Sequence, residues 1–426
     1  MDSLLLGVMK RVGLIILALV AVFAAGFGIR GTKRFEAGIK SQTVVSDKYV
    51  AFVLETYDQI KENYWEKISD DELSGIYLLA VDKLSGGAHT LKGHDKKGVE
   101  VLVTTALKDI RDDKKKEFVA ALADAVLVNL KPFGRSRLYS QKEAKELSNT
   151  VSNIDSASDL FKTLGVDKNA NNQEISKAFG EKTKEATTPA EKAAVKRAYE
   201  ALGDDASRKI YVVSGVEPTI EYKLINPSIF YVHLTKFSPT TMEEFARVTE
   251  KVDVGDSLDT LIFDLRGNIG GAIDGLPYFL GPFIGPDTYG YQFYHQGEKE
   301  DFKTVTGWMK SLVRYNKVIV LVDGNTQSTA EVMASTLKKY NVGIILGATT
   351  KGWGTVEKVF PIKNQIADGE MFSLFLVHRV TLREDGQPIE GRGVEPQINI
   401  KNPNWKVELL KKYNFPGIVK AIEEIK

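Results

Sequence analysis

Three short stretches, "LDTLIFDL" (258–265), "NKVIVLVD" (316–323) and "VGIILG" (342–347), each hold a run of consecutive apolar residues at their centre. Successive side chains of a strand point to opposite faces, so a run that is apolar at consecutive positions has to be covered on both sides. Between the stretches lie "TTMEEFARVTEKV" (240–252) and "TAEVMASTLKKY" (329–340), which are apolar at helical spacing. Parallel strands joined through covering helices satisfy both patterns at once. "IFYVHLTKF" (229–237) precedes this series as a further strand. After it come the strands "TVEKVFPI" (355–362) and "MFSLFLVHRVTL" (371–382), then the helix "VELLKKY" (407–413). Residues 218–426 therefore read as an α/β core with parallel pairing.

Upstream the pattern is helical. Residues 35–150 contain "YVAFVLETYDQIKENYWEKI", "DDELSGIYLLAVDKL" and "KDIRDDKKKEFVAALADAVLVNL", each apolar on one helical face. Pro132 and Gly134 interrupt the period, so "LKPFGRSRLYS" (130–140) reads as a loop. Residues 1–34 form a short tail and an uncharged apolar run that begins at Val12 and ends at Ile29. At 18 residues this run is about the minimum for crossing hydrocarbon. The expectation is a retained transmembrane anchor with the bulk of the chain outside the cytoplasm. The alternative is a cleaved signal peptide, since "VFA" (22–24) has the small-residue character of a cleavage site. Either reading sends the chain through a membrane.

Composition removes several function classes. Net charge is +1, so no global field draws in nucleic acid. There are no cysteines, which rules out disulfides, thiolate metal sites and a cysteine nucleophile. His89, His94, His233, His295 and His378 are scattered, with no pair at helical metal-ligand spacing. No metal or cofactor is expected.

Two turns of the core carry residues suited to chemistry. In "FDLRGNIGGA" (263–272) a buried strand runs into glycines 267, 270 and 271, which let backbone N–H groups approach a ligand. In "VDGNTQSTAEVMAS" (322–335) Ser328 stands between a strand and a helix. Ser328 and Glu331 match a capping box, and the same serine would be a nucleophile held beside helix-terminal amides. The residues of this segment leave both readings open.

The order of five segments goes further. "FYVHLTKFS", "LIFDLRGNIGG", "VDGNTQSTAEVMAS", "GATTKGWGTVE" and "GQPIEGRGVEPQI" resemble, in order and spacing, the C-terminal processing peptidases, tail-specific serine proteases with a ClpP- and crotonase-like core. The resemblance implies a serine-type endopeptidase acting on proteins or peptides, with Ser328 as nucleophile and an oxyanion hole at amides near Gly270 and Gly271. In that family a lysine general base precedes Gly-(Thr/Ser)-Val-Gln. Aligned on "GTV" (354–356), Trp353 takes the lysine's place and Glu357 the glutamine's, while Lys351 stands two residues earlier. A shift of two along an extended chain keeps the same face but moves the side chain roughly 6–7 Å. Lys351 is the expected, displaced base; it would need burial or a nearby cation to lower its pKa from about 10.4. Glu390 in "PIEGRGVEP" resembles the glutamate of a Ser-His-Glu branch, whose histidine would fall near Phe133. Glu357, Glu390 and Trp353 are thus accessory candidates, and His233 and His378 read as packed or edge histidines. The rival reading is a pseudoprotease that binds peptides without turnover.

Where the family carries a PDZ domain, residues 151–217 instead resemble the J-domain of Hsp70 co-chaperones. The likeness lies in "DLFKTLGV", "EISKAF" and "AYEALGDDASRKIY". The His-Pro-Asp tripeptide of that family is replaced by "EATTPAE" (185–191). This implies a three-helix spacer or protein-docking unit, with a protein partner in place of Hsp70.

Overall fold

The computed structural model describes residues 47–252 and 257–425. The apolar run from Val12 to Ile29 lies outside the described residues. Among the described residues no helix is long and apolar enough to cross a membrane.

Four helices open the described chain: α1 (Lys48–Asn63), α2 (Asp70–Ser85), α3 (Lys96–Ala106) and α4 (Asp112–Val128). Asp47, Ser69 and Asp95 cap the first three by accepting orphan backbone amides. Their inner faces bury Phe52, Tyr57, Leu73, Tyr77, Val103 and Leu122. The segment read as a loop contains a strand, β1 (Arg137–Ser140), followed by α5 (Gln141–Val151). β1 forms because it pairs with residues 372–375, far along the chain, and no local pattern announces such a partner.

The J-like segment folds as a short helix, α6 (Leu160–Leu164), and three longer ones: α7 (Asn172–Glu185), α8 (Pro189–Leu202) and α9 (Asp205–Ser214). Leu160, Phe161, Leu164, Ile175, Val195, Ala198 and Leu202 form a core of their own. The stretch standing where His-Pro-Asp is absent is a helix cap: Glu191 takes the Thr187 and Thr188 amides at 2.8 and 3.0 Å. The unit enters and leaves through one stem, where Ile154 and Val216 pair antiparallel. Arg197 bridges Asp155 and Glu217 across that stem.

The core then alternates strand and helix: β2 (Ile220–Asn226), β3 (Ile229–Leu234), α10 (Thr241–Val252), β4 (Thr260–Asp264), α11 (Leu276–Ile284), β5 (Tyr289–His295), β6 (Glu298–Lys303), α12 (Lys310–Val313), β7 (Lys317–Val322), α13 (Thr329–Lys339), β8 (Ile344–Gly347), β9 (Thr355–Pro361), β10 (Phe372–Leu382), β11 (Ile398–Asn399), α14 (Trp405–Lys412) and α15 (Pro416–Glu424). One six-stranded sheet has the order β11-β8-β7-β4-β3-β2, parallel except for the β2–β3 pair. The aliphatic runs are its central strands, and they divide as two-sided burial requires. Leu261, Phe263, Val318 and Val320 join Phe245, Phe279 and Phe283 on one face. Ile262, Ile319 and Leu321 join Trp405, Leu409 and Ile418 on the other. The second sheet centres on β10, which pairs with β9, β1 and β5, while β6 pairs with β5.

The N-terminal helices share their core with this second sheet. Leu374 and Leu376 of β10, with Ile362 and Ile366, are buried among residues of α1 to α4. Truncating Leu376, which is fully buried, removes a contact between segments more than 200 residues apart. Leu376→Ala is expected to lower stability by about 2–5 kcal/mol in denaturant unfolding. Amide exchange should speed in α1–α4 as well as in β10; protection lost from β10 alone would contradict a shared core.

Candidate active site

Ser328 ends the turn between β7 and α13 with φ 55° and ψ −126°, a region that glycine fills readily and other residues enter under strain. The turn is held there by neighbours. Thr326 Oγ1 donates to the Leu265 carbonyl at 2.8 Å, and the Gln327 amide donates to the Asn268 carbonyl at 2.9 Å. Ser328 itself is half-exposed.

The glycine turn after β4 lies directly against it. A Cβ on Gly270 would come within 2.6 Å of Ser328 Cβ, so this position admits no side chain. Its φ of 85° independently favours glycine. Phe237 bridges Gly271, with the Phe237 amide donating to the Gly270 carbonyl and the Ala272 amide to the Phe237 carbonyl, each at 2.9 Å. Thr329 Oγ1 donates to the Gly271 carbonyl at 3.0 Å and ties the helix start to the same turn. The Gly270 N–H is engaged by Asn268 Oδ1 at 2.8 Å. Gly270 therefore contributes close approach and no oxyanion donor. The N–H groups of Gly271 and of Thr329, the residue after Ser328, have no acceptor among the described residues.

Glu331, fully buried one turn into α13, joins the serine turn to the segment 350–354. Its Oε2 accepts the Ser328 and Trp353 amides at 2.9 and 2.8 Å. Its Oε1 accepts the Gly352 amide at 2.7 Å and Thr350 Oγ1 at 2.5 Å. Burial lifts the Glu331 carboxyl above the usual range, while these donors favour the ionised form.

Beyond Glu331 the segment 350–357 meets the loop that reads "KPFGR". The Arg135 guanidinium stacks 3.3 Å from the centre of a Trp353 ring and donates from Nη2 to Glu390 Oε1 at 3.0 Å. Glu390 Oε2 accepts the Gly354 amide at 2.8 Å. Trp353 Nε1 points to Glu357 Oε1 at 3.4 Å, and Thr355 Oγ1 donates to the same oxygen at 2.5 Å. Burial raises the Glu357 carboxyl, and the hydrogen bonds from Thr355 and Trp353 oppose the rise, with Arg135 adding least.

Lys351 is exposed, and its side chain makes no hydrogen bond or ion pair among the described residues. Its backbone N–H donates to the Thr326 carbonyl at 2.9 Å, so the residue sits beside the serine turn. The structure thus brings Ser328, Gly270, Gly271, Trp353 and the Lys351 backbone together, with Glu357 and Glu390 one step out. His233 bonds the Arg266 carbonyl at 3.0 Å, and His378 bonds the Asn63 carbonyl at 2.7 Å; neither pairs with Ser328. Sequence reading missed Arg135, Asn268 and Thr329. Asn268 lay inside a motif already singled out. Nothing local marked Arg135, whose partners Trp353 and Glu390 lie more than 200 residues away.

Replacing Glu331 by glutamine sets an NH₂ group against two donors whichever way the amide turns. Glu331→Gln is expected to cost about 2–4 kcal/mol in denaturant unfolding, the usual penalty for buried donors left unpaired. Unchanged stability would mean that the carboxylate is not what joins the two turns.

Residues 228–400 match peptidase family S41. Carboxy-terminal processing protease CtpB of Bacillus subtilis (strain 168) is 28% identical over 186 residues, 43% of this chain and 36% of that protein. CtpA of the same organism is 30% identical over 193 residues, 44% of this chain and 38% of that protein. The aligned region thus spans well under half the length of these relatives. A solved structure of the photosystem II D1 C-terminal processing protease aligns with 84% of this chain and 94% of its own, at 15% identity and a TM-score of 0.49. Residues 228–400 thus carry a match to peptidase family S41, and the chain is similar over 43–44% of its length to the C-terminal processing proteases CtpB and CtpA.

Proposed function

We propose that the chain is a membrane-anchored serine-type endopeptidase that cuts extracytoplasmic proteins or their C-terminal tails. The observation that carries this reading is the strained Ser328 turn packed against Gly270, with the amides of Gly271 and Thr329 unengaged among the described residues. Ser328 Oγ attacks the peptide carbonyl and passes its proton to Lys351 Nζ, forming a tetrahedral adduct whose oxyanion meets the two amides. Collapse of the adduct breaks the C–N bond, and the lysine returns the proton to the leaving amine. Water then hydrolyses the acyl-serine by the same route. The bond from the Lys351 amide to the Thr326 carbonyl supports Lys351 as the base, because it holds the residue next to this turn; its amine is exposed, so the burial such a base requires falls to the bound substrate. The uncharged run from Val12 to Ile29 supports the anchor and the extracytoplasmic location. The J-like unit stands where the family's PDZ domain would read a substrate tail, and is taken as the docking element for a protein partner.

A second reading is a pseudoprotease that binds peptides and does not cut them. The Arg135–Trp353 stack favours it, since an aromatic ring and a guanidinium occupy the region of the family's lysine.

The full chain, mixed with a disordered protein bearing an apolar C-terminal tail, should yield fragments in intact-mass spectra. Ser328→Ala is expected to abolish them; cleavage at the wild-type rate would end the nucleophile assignment. Lys351→Ala should slow cleavage by about 10²-fold or more, the scale of acid–base assistance. Equal tail binding by wild type and Ser328→Ala, with no fragments from either, would instead establish the second reading.

A further inference from the structure

The segment 350–354 is held from two sides. Glu331 holds it from α13 through Thr350, Gly352 and Trp353. Glu390 holds it from the other side through Gly354. The approach on that side is tight, because a Cβ on Gly354 would lie 2.3 Å from the Glu390 amide. Glu390 and its partner Arg135 are each 16% exposed at the side chain, so the carboxylate depends on this one guanidinium for its counter-charge. The same guanidinium covers the Trp353 ring at 3.3 Å, and Glu357 faces the indole N–H. Stacking on one face and a polar contact at the edge leave the indole no freedom to turn. Within 350–354 Thr350 and Trp353 are thus committed, two positions are glycine, and Lys351 is the side chain left without a bond among the described residues.

We infer that Arg135 is a positioning residue: by stacking on Trp353 while neutralising Glu390, it fixes the turn so that the indole lines the site and Lys351 carries the amine available to Ser328. This rests on the peptidase reading for its kinetic consequence. Its structural consequence, the setting of Lys351 by Arg135, is independent of turnover. The role requires a planar fork that stacks and donates at once. Lysine keeps the charge and a donor but loses the planar group that stacks while it donates.

Two variants of the full chain test this, Arg135→Met, which keeps an apolar stem, and Arg135→Lys, which keeps the charge. Cleavage of the disordered tail substrate should lose at least about tenfold in kcat in both, since a 1 Å misplacement alone costs on the order of a hundredfold. KM should change little, which separates a displaced turn from a damaged substrate groove. Rescue by Arg135→Lys would overturn the stacking role. The second readout needs no cleavage: reductive methylation of Lys351, followed by mass spectrometry and normalised to exposed Lys358. The Lys351 rate should change by about twofold or more in both variants as the amine moves to new surroundings. An unchanged rate would overturn the proposal, including in a protein that cuts nothing. If wild type yields no fragments while the methylation rate responds to Arg135, the peptidase reading fails and the positioning role stands. Should Arg135→Met not fold, Arg135→Lys decides alone by the same two measurements.

Discussion

The site depends on one buried carboxylate. Glu331 gathers four donors from two separate turns, and so bonds both the Ser328 elbow and the 350–354 segment. The Ser328 amide it accepts belongs to a residue in a strained backbone region, so part of the bond's value goes to offsetting that strain. Burying a carboxyl is costly unless its oxygens are satisfied, and here each oxygen takes two donors. What reads in the sequence as a helix cap is therefore also the tie between two halves of a candidate catalytic centre.

Around this tie the chain uses distant segments to complete local ones. The glycine turn is shaped by Phe237 from the end of β3, by Asn268 from within and by Thr329 from α13. The far side of the 350–354 segment is shaped by Arg135, which arrives on the loop before β1. That loop is placed by β1 pairing with β10, and β10 in turn carries the core shared with the N-terminal helices. The J-like unit is attached differently. It has its own core and joins the rest through an antiparallel stem and a set of ion pairs, as expected of an insert that folds largely by itself.

Much of this was legible beforehand. β4, β7 and β8 stood out because two-sided burial leaves an unbroken aliphatic run, and α10 and α13 because one-sided burial leaves a helical period. Ser328, Gly270 and Gly271 were found from motif order. The reading erred where a partner outside the local window decides the outcome. β1 reads as loop because a four-residue strand with Pro132 and Gly134 just ahead of it has no local signature. Gly270 reads in the sequence as an oxyanion donor because residue order shows its side-chain-free backbone and not the direction of its N–H. That direction is set by Asn268, whose other end donates to the Leu234 carbonyl at 2.7 Å.

The sequence by itself determined the likeness to peptidase family S41 over residues 228–400, the α/β alternation, and the order of Ser328, Lys351 and Trp353 along the chain. These follow from the order of residues along the chain, which periodicity and motif spacing record directly. The tertiary structure alone decided which amides stay unengaged, that one carboxylate serves both turns, and that an arginine more than 200 residues away lies over the tryptophan. Those are matters of where donors point and which segments meet. A hydrogen bond or a stacked ring depends on angles and on distances of about 3 Å, and residue order does not encode these until the chain has folded back on itself.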